Sequence, residues 1–456
     1  MTALQNVEDA YPLTATQEGM VFHTLADPDS GVYVNQILTP ISGNFDVPRF
    51  EQAWDGAVAR HSALRTAFLW DGLDDPLQVV RGDVSTDWQS LDLRTLPSDE
   101  QQGSIDAFLA SDRDRGFDLA DAPLCRMAVI QTGMTEWLWV WSFHHVIADG
   151  WSASRVLDEV FADYGGAEQV THSTATYRDF IAAYLGRDES REEAFWRERL
   201  SDLPEPQNLA VPGLPPHEGS SGHDTHSFAL GADTSIELAD LARSMNVTLN
   251  TAFVGVWALI VASWTRSTDV LFGTTVAGRS AAAPGIDEAV GLFINTLPLR
   301  IPVTPRTELG PWLRDVQRTQ IETREFEQSS LSSVQRWSGN HDGIPLFDNI
   351  LVFENYPRVE RGTRFGEIEI GSRTYLEQSN YPLAVLVIPG DPIHISLVFD
   401  TAVFPAEAME SIEDQMRTLI ASMIASPDMH LAGLSLTTPD DVDWLRATGT
   451  GPTLPN

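Results

Sequence analysis

The segment WSFHHVIADGWS, from Trp141 to Ser152, ends a strongly apolar run with two adjacent histidines and an Asp-Gly pair. It is preceded by PLCRMAVIQTG and TEWLWVWSFHH, and the turn residues between these runs, Thr132 to Thr135, predict a β-hairpin. Because both faces of the second strand are largely apolar, we expect a central strand that is covered on two sides. The segment therefore predicts the core of an α/β fold.

Side-chain alternation along this strand separates the two histidines. Trp139, Trp141, Phe143 and His145 fall on one face, and His144 falls on the other. One histidine should then face a cavity, while the other packs on the opposite side and needs hydrogen-bond partners for its ring nitrogens. A histidine at a buried strand end is more often a core residue than a catalytic one, and Asp-Gly alone marks a turn.

The combination of these residues favours chemistry more than any single one does. Histidine is the side chain best suited to move protons near neutral pH, and a nearby acid commonly orients it; Asp149 follows His145 by four residues. Gly150 would let a backbone N–H approach a developing oxyanion closely. The segment is therefore a candidate active site.

Charge and composition exclude several classes of protein. The 65 acidic and 29 basic residues give a net charge of -36, which argues against nucleic acid and anionic membranes as partners. The sequence contains no lysine, so all 29 basic residues are arginine. Walker-type phosphate loops, protein kinases and Schiff-base chemistry need a lysine amine, and these classes are excluded.

Cysteine content and the N-terminus bear on the compartment. Cys125 is the only cysteine, which rules out a disulfide framework and the usual thiolate metal cage. The first ten residues, MTALQNVEDA, lack the basic and apolar regions of a signal peptide, and no apolar run is long enough to span a bilayer. We expect a cytoplasmic protein without a metal site.

Chain length and a stretch rich in Pro, Gly and Ser predict the domain organisation. At 456 residues with 43% hydrophobic residues, the chain should form two or three folding units. Alternating helices and strands occur in both halves, and the stretch 203–224, rich in Pro, Gly and Ser, is typical of a linker. We expect an N-terminal lobe at 1–185, a connecting helix and linker at 186–228, a C-terminal lobe at 229–440 and a C-terminal linker at 441–456.

The candidate active site resembles a known signature. HHVIADG matches the HHxxxDG motif of the chloramphenicol-acetyltransferase-like superfamily, and HHVIADGWS is similar to the form found in condensation domains of nonribosomal peptide synthetases. Five further segments resemble motifs of that family, in the family's order: YPLTATQEGMVFHT (11–24), RHSALRTAF (60–68), TYRDF (176–180), VGLFINTLPLR (290–300) and LFDNILVFENYP (346–357). Six motifs in order across almost the whole chain make the resemblance very specific.

The resemblance implies both a fold and a reaction. It implies two chloramphenicol-acetyltransferase-like lobes in a V-shaped pseudo-dimer, with a central tunnel and the histidine motif near its middle. It also implies formation of a peptide bond, in which an aminoacyl amine on a downstream carrier attacks an aminoacyl or peptidyl thioester on an upstream carrier. Peptidyl carrier domains on both sides and a neighbouring adenylation domain are the implied partners. The 4'-phosphopantetheine arms belong to the carriers, so no cofactor is expected on the chain itself, and an excised domain should be monomeric.

The resemblance also implies roles for the residues of the signature. His145 would contact the attacking amine, either taking its proton or holding it in line, and Gly150 would supply conformational freedom or an N–H toward the thioester oxygen. Asp149 would be a structural acid paired with Arg65, the second arginine of RHSALRTAF, since a buried carboxylate is costly unless it is paired. His144 would be mainly structural.

Other positions have supporting roles in the same interpretation. Trp151 would pack where the following helix begins, and Ser152 is a reasonable cap for that helix. Asn295 and Asn355, in the second-half motifs, are candidates for the wall of the substrate tunnel.

Several alternatives stay open at this level. Segments such as TVAGR and LVFENYP favour a subtype that takes a D-configured donor and an L-configured acceptor. An epimerization domain would share HHxxxDG, although GWS and LFINTLPLR favour condensation. A stand-alone acyltransferase of the superfamily and a non-catalytic carrier-docking scaffold are the other interpretations; the DFGWG motif of plant-type acyltransferases is absent, and the intact motif argues against a scaffold.

Overall fold

Alternating helices and strands run the length of the chain, and the computed structural model describes residues 6–28, 30–166, 175–203, 209, 222–279, 285–339, 344–355 and 362–437. The strands are β1 (Val7–Pro12), β2 (Val34–Gly43), β3 (Thr66–Leu69), β4 (Leu77–Arg81), β5 (Asp87–Asp92), β6 (Cys125–Gln131), β7 (Glu136–His144), β8 (His223–Ala229), β9 (Asp269–Val276), β10 (Asn295–Pro302), β11 (Asn349–Phe353), β12 (Arg364–Phe365), β13 (Ile368–Ile370), β14 (Thr374–Leu376), β15 (Leu383–Ile388) and β16 (His394–Asp400). The α-helices are α1 (Ala15–Ala26), α2 (Val47–Arg60), α3 (Ser98–Asp114), α4 (Gly150–Gly165), α5 (Tyr177–Leu185), α6 (Glu189–Arg199), α7 (Ala232–Ser244), α8 (Leu249–Thr265), α9 (Leu309–Arg324), α10 (Leu331–Trp337) and α11 (Ala406–Ala425). Short 3₁₀ helices lie at Ser62–Arg65, His145–Ile147, Ile286–Glu288 and Leu431–Gly433.

The chain divides into two compact units, each built from separate stretches of sequence. The first unit comprises Met1–Asp188, Ala277–Asn295 and Tyr356–Asn380. The second comprises Glu189–Val276, Thr296–Asn355 and Tyr381–Asn456. The change at 188/189 lies close to the predicted lobe boundary at 185. The prediction of 229–440 as one continuous lobe is wrong, because two stretches within it, 277–295 and 356–380, belong to the first unit.

The first unit is organised around the hairpin that the sequence predicts. Its larger sheet has the order β12-β13-β2-β7-β6-β5, with β14 also paired to β2. The β6–β7 and β2–β7 pairs are antiparallel, whereas β5 and β6 run parallel, so the sheet is mixed. β7 therefore lies in the interior of the sheet, as predicted, and its last residue is His144.

Aromatic packing on one face of β7 forms the core of this unit. Trp139 and Trp141 are fully buried against Trp54 of α2, with ring centroids 5.5 and 4.9 Å apart. On the opposite face, Val140 packs in a smaller cluster with residues of α3. Burying a large apolar side chain stabilises a fold by roughly 1.5–3 kcal/mol. The two covered faces confirm the predicted central strand and fix the end of β7 firmly in place.

The second unit contains a six-stranded mixed sheet of order β10-β9-β11-β15-β16-β8. The apolar segment 248–264 predicts a buried helix, and α8 confirms it: twelve of its residues are buried, and Thr248 caps its N-terminus through its side chain. Trp257 of this helix donates its indole N–H to Asn349 of β11 at 2.9 Å. The expectation of a mixed sheet with packed helices therefore holds for both units.

Two predicted linkers lie partly or wholly outside the described residues. Of the predicted linker, the stretches 204–208 and 210–221 lie outside the described residues, as does the predicted C-terminal linker at 441–456. The predicted connecting helix corresponds to α6. Among the described residues, no single helix is long and apolar enough to cross a membrane, although Ala232–Ser244 and Leu249–Thr265 meet that test as a pair bent by 101°.

Candidate active site

The HHxxxDG segment is a compact turn between β7 and α4. Strand pairing ends at His144, a single 3₁₀ turn covers His145–Ile147, and α4 begins at Gly150. The first histidine starts this turn, because its Nδ1 accepts the backbone N–H of Val146 at 3.1 Å. The backbone N–H of His145 donates to the carbonyl of Tyr33 at 2.8 Å. Local side-chain capping therefore ends the strand one residue earlier than an uninterrupted apolar pattern would suggest.

The predicted placement of His145 on the strand face of Trp141 and Phe143 is wrong for this reason. Alternation holds through His144, which lies on the face opposite Trp141 and Phe143, but His145 belongs to the 3₁₀ turn. The direction of its ring is set by the turn and by its own hydrogen bond. The assignment of the functional role to His145 therefore rests on the resemblance to the family, not on strand periodicity, and it stays a prediction.

The ring of His145 is held in one tautomer. Its Nδ1 lies 2.8 Å from the carbonyl oxygen of Ala148. A carbonyl can only accept, so Nδ1 carries the hydrogen, and in the neutral ring Nε2 keeps its lone pair. The side chain is partly exposed, and no residue in the described part of the chain hydrogen-bonds to Nε2. The geometry presents an available proton acceptor.

His144 is held in the opposite tautomer. Its Nδ1 accepts from Val146, so Nε2 carries the hydrogen and donates to Oγ1 of Thr24 at 3.0 Å; that hydroxyl donates in turn to the Met20 carbonyl. Its side chain is fully buried. Burial, followed by the charge of His145, lowers the pKa of His144 to about 3. A neutral, doubly hydrogen-bonded ring agrees with the structural role predicted for it.

A cavity of about 110 Å³ lies beside His144 in the first unit. Its wall includes the end of α1, the loop at Gly116–Leu119 and the ring of His144. Strand alternation predicts that one of the two histidines faces a cavity. In the described part of the first unit, His144 lines this cavity.

Asp149 is buried and tightly held, but not by the arginine that was predicted. Its carboxylate accepts the backbone N–H groups of Ser152 at 2.7 Å and Phe293 at 3.0 Å. Nη2 of Arg279 lies 3.2 Å from its Oδ1, and both side chains are almost fully buried. The predicted Asp149–Arg65 pair is therefore wrong. Asp149 caps α4 and contacts the stretch 277–295, in which Arg279 provides the cation.

Arg65 has a different set of partners in the same unit. Its Nη1 forms an ion pair with Glu8 at 2.6 Å and donates to the carbonyl of Arg81, and its Nε donates to the carbonyl of Val58 at 3.1 Å. These contacts join the 3₁₀ helix at Ser62–Arg65 to β1 and β4. The guanidinium is buried, as a structural role requires, but it anchors the three-stranded sheet of order β1-β4-β3 rather than the histidine turn.

Further hydrogen bonds join the stretch 277–295 to the start of α4. Ser152 is buried; its hydroxyl donates to the carbonyl of Gly291 at 2.7 Å and accepts that residue's N–H at 3.1 Å. Arg279 donates to the carbonyls of Ile286 and Ala289, and Trp151 donates its indole N–H to the carbonyl of Asp287 at 3.1 Å. Ser152 is thus a bridging residue rather than the predicted helix cap, which is Asp149.

Gly150 and the two asparagines show where prediction and structure diverge further. Gly150 is the first residue of α4 and does not use a positive φ, so the predicted conformational freedom is not what the turn needs. Its N–H lies at a helix N-terminus, which leaves the oxyanion role as a prediction.

Asn295 is 9% exposed and accepts a hydrogen bond from the hydroxyl of Thr16 at 3.0 Å. Asn355 is exposed and belongs to the second unit, and its predicted substrate contact stays a prediction.

Sequence reasoning missed the residues that hold this turn from other segments. Arg279 lies within the TVAGR segment, but nothing in a single sequence shows which arginine meets Asp149. Gly291 lies so close to Tyr177 that an added Cβ would be 2.1 Å from its ring, a constraint visible only in three dimensions. Gln17 and Thr24 belong to the N-terminal motif, for which the sequence indicated no individual roles.

Metal chemistry and thiolate chemistry are both disfavoured in the described ranges. No group of three or more His, Cys, Asp or Glu side chains there could hold a metal ion. Burial raises the pKa of the Cys125 thiol to about 12, which makes a thiolate nucleophile unfavourable. The fold and site together define an α/β protein whose candidate active site is a single, oriented histidine.

Comparison with known proteins identifies the family. The condensation domain profile matches residues 7–445, so the chain belongs to the condensation domain family of nonribosomal peptide synthetases. Relatives include a linear gramicidin synthase protein of Brevibacillus parabrevis, 38% identical over 97% of this chain and 9% of the relative, and chondramide synthase cmdD of Chondromyces crocatus, 33% identical over 97% of this chain and 12% of the relative. The chain thus corresponds to a small part of these much longer proteins.

Solved structures agree on the fold. A four-domain nonribosomal peptide synthetase bound to AMP and glycine aligns with a TM-score of 0.81 at 17% identity, over 95% of this chain and 34% of that one. The first condensation domain of the calcium-dependent antibiotic synthetase, in complex with a substrate analogue, aligns with a TM-score of 0.79 at 18% identity, over 95% of this chain and all of that one. The predicted α/β class is therefore confirmed.

Proposed function

We propose that the chain forms a peptide bond between two carrier-bound substrates, with His145 as the residue that contacts the attacking amine. The amine nitrogen of the downstream aminoacyl group attacks the carbonyl carbon of the upstream thioester. The C–N bond forms, the C–S bond breaks, and the upstream phosphopantetheine arm leaves as a thiol. The proton lost by the amine is available to the departing sulfur.

The observation that carries this proposal is the tautomer of His145. Its Nδ1–H donates to Ala148, which leaves an unprotonated Nε2 on a partly exposed ring. Such a nitrogen can accept a proton from the amine or hold the amine in line. Reference α-amino groups have a pKa of roughly 7.7–8.0, so much of the nucleophile is neutral without strong help, and holding the amine in position suffices for a large part of the effect.

The start of α4 supports the other half of the reaction. Gly150 is the first residue of that helix, and N-terminal N–H groups carry partial positive charge. The Gly150 N–H would stabilise negative charge on the thioester oxygen as the amine adds. Asp149, bonded to Ser152 and Phe293, keeps that helix start in place rather than touching substrate.

The further parts of the proposal follow from the resemblance. The substrates arrive on the 4'-phosphopantetheine arms of an upstream and a downstream carrier domain, next to an adenylation domain, and the chain binds no cofactor of its own. Two lobes in a V-shaped pseudo-dimer with a central tunnel belong to the proposal, and the likeness in fold to solved condensation domains supports it. The placement of Asn295 and Asn355 in the tunnel wall rests on the sequence motifs alone. A monomeric excised domain and a cytoplasmic location stay predictions.

The test is a single-turnover assay with two separately loaded carriers. The purified chain is mixed with an aminoacyl donor carrier and an aminoacyl acceptor carrier, and intact mass reports dipeptidyl acceptor and free donor thiol. We expect His145→Ala to lower the rate by roughly 10²–10⁴-fold without changing the melting temperature. His394→Ala is the matched control, because His394 is exposed on a strand of the second unit. Full activity of the His145→Ala variant would overturn the role of His145.

The same assay separates the alternative functions. Donors loaded with the D and the L amino acid are compared, and the proposed subtype predicts faster transfer of the D donor. Exchange of the α-proton into heavy water on one carrier, without a dipeptide, would show an epimerization domain. Transfer to a soluble thioester but not to a carrier would show a stand-alone acyltransferase. Carrier binding without product from any pair would show a docking scaffold.

A further inference from the structure

Two residues of α1 contact the histidine turn immediately before and after His145. The hydroxyl of Thr24 receives the Nε2–H of His144 at 3.0 Å. The side-chain amide of Gln17 donates from its Nε2 to the carbonyl of Val146 at 3.3 Å. The two α1 residues are seven positions apart, which is about two helical turns and places them on one face of the helix. One rigid element therefore holds both neighbours of the proposed catalytic ring.

The amide of Gln17 is saturated with hydrogen bonds. Its Nε2 also donates to Oε1 of Gln78 on β4, at 3.1 Å. Its Oε1 accepts from the backbone N–H of Thr14 at 3.0 Å and from Nε2 of Gln78 at 3.0 Å. A primary amide offers two N–H donors and two lone pairs, and all four are used. The side chain therefore has one orientation, and rotating the amide would break every one of these contacts.

The burial of this amide pair depends on its hydrogen bonds. Gln17 and Gln78 are each 1% exposed. Burying polar groups is tolerated when every donor and acceptor is satisfied, and a partly satisfied pair is costly. Two apolar side chains of similar volume would pack the same space without that risk. A structural explanation accounts for the bond to Thr14, which is half of the α1 capping box, but it does not require a bond to the histidine turn.

We propose that Gln17 is a positioning residue for His145, acting through the carbonyl of Val146. This inference rests on the proposed function and extends it to a residue that does not touch substrate. Ala148, which orients the His145 ring, follows Val146 by two residues in the same turn. Fixing the Val146 carbonyl therefore fixes the path of the backbone that aims Nε2. Loss of this contact should lower the rate of the chemical step more than it weakens carrier binding.

The experiment replaces the amide by an apolar side chain of similar length. In Gln17→Met, we expect kcat for dipeptide formation to fall roughly tenfold to hundredfold, while KM for both carriers stays within about twofold. The nitrogen NMR signals of the His145 ring should shift or broaden in the same variant. The NMR readout does not depend on turnover, so positioning can be confirmed even if the proposed function fails.

A matched control tests whether any lost glutamine has this effect. Gln101 of α3 also donates its side-chain amide to backbone carbonyls, those of Leu93, Leu96 and Thr132. Thr132 precedes β7 at the end opposite to His144. Gln101→Met should lower the melting temperature but leave kcat and the His145 signals unchanged.

Two further variants keep the proposal open to contradiction. Gln78→Met breaks the amide pair but spares the bond from Gln17 to Val146, so it should reduce stability with a smaller loss of kcat. If Gln17→Met does not fold, Gln17→Glu keeps the acceptor for Thr14 and removes the donors toward Val146 and Oε1 of Gln78. Gln78→Met measures the loss of the Gln78 contact separately. A folded Gln17 variant with unchanged kcat and unchanged His145 signals would overturn the proposal.

Discussion

Two arginine–carboxylate pairs in the first unit differ in how much water reaches the carboxylate. At the histidine turn, the side chains of Arg279 and Asp149 are 6% and 0% exposed. In the pair that fastens β1, Arg65 is 8% exposed, whereas Glu8 is 55% exposed. The first pair has removed both charges from water, and the second has removed only the arginine. The pair at the site should therefore matter far more to folding than the pair with Glu8.

The difference also shows what a buried ion pair does at this site. Asp149 accepts hydrogen bonds from one guanidinium and two backbone N–H groups. Two of these donors, Arg279 and the N–H of Phe293, belong to the stretch 277–295 and join it to the start of α4. Glu8 has no comparable set of backbone donors among the described residues. A buried pair often contributes little net stability compared with apolar packing, but breaking it is severe. Its value here lies in the fixed geometry after His145.

The largest effect is expected from removing one partner of the buried pair. Asp149→Ala leaves the Arg279 charge buried without a counter-ion and uncaps α4, so we expect a loss of about 3–5 kcal/mol in the free energy of unfolding. Chemical denaturation measures it. Arg279→Ala should cost a similar amount, and a double variant should cost less than the sum of both. Additive losses would contradict a direct pair.

A smaller effect is expected at Arg65. Arg65→Ala leaves the carbonyls of Val58 and Arg81 without their side-chain donor. Because buried acceptors are then unsatisfied, we expect the free energy of unfolding to fall by about 1–3 kcal/mol. The melting curve should shift while the activity of the folded protein is retained, since these contacts are not at the histidine turn. A double-mutant cycle with Asp149→Ala should give no coupling; strong coupling would restore the pair that the sequence predicted.

The least effect of the three ion-pair changes is expected at Glu8. Glu8→Gln removes the charge of a half-exposed carboxylate, and exposed pairs contribute about 0–1 kcal/mol. Thermal unfolding at low and high salt measures it. A loss as large as that of Asp149→Ala would show that exposure does not separate the two pairs.

His144, which lies in the same turn, should make the free energy of unfolding depend on pH. The pKa of His144 is lowered to about 3 in the fold, whereas an unfolded histidine titrates near 6.5. Between these values the unfolded chain binds a proton that the folded chain does not, so stability falls as the pH decreases from about 6.5. We expect His144→Gln to flatten this acid limb in denaturation curves recorded from pH 7 to pH 4. An unchanged slope would contradict the neutral, buried ring.

The sequence predicted the parts of the fold that local patterns determine. The β6–β7 hairpin and α8 follow from turn residues and apolar spacing, because those features depend on neighbours in the chain. It did not predict that 277–295 and 356–380 join the first unit, since periodicity does not show which unit a stretch will join. The continuous C-terminal lobe was wrong for that reason.

The candidate site was predictable in its residue types but not in its contacts. The motif identified His145 and Asp149, but the end of β7 depends on a side-chain cap by His144, which breaks the alternation on which the placement of His145 depended. The partner of Asp149 depends on which arginine the fold brings near, and Arg279 is 130 positions away. Distant pairings of this kind cannot be read from one sequence.

The tautomers of the two adjacent histidines provide the most direct test of the central claim. Nitrogen NMR of the folded chain distinguishes a protonated ring nitrogen from an unprotonated one and can be assigned with His144→Gln and His145→Ala. We expect His145 to be protonated at Nδ1 with a free Nε2, and His144 to be protonated at Nε2 with an accepting Nδ1. A His145 ring protonated at Nε2 under conditions where the protein makes peptide bonds would contradict the account.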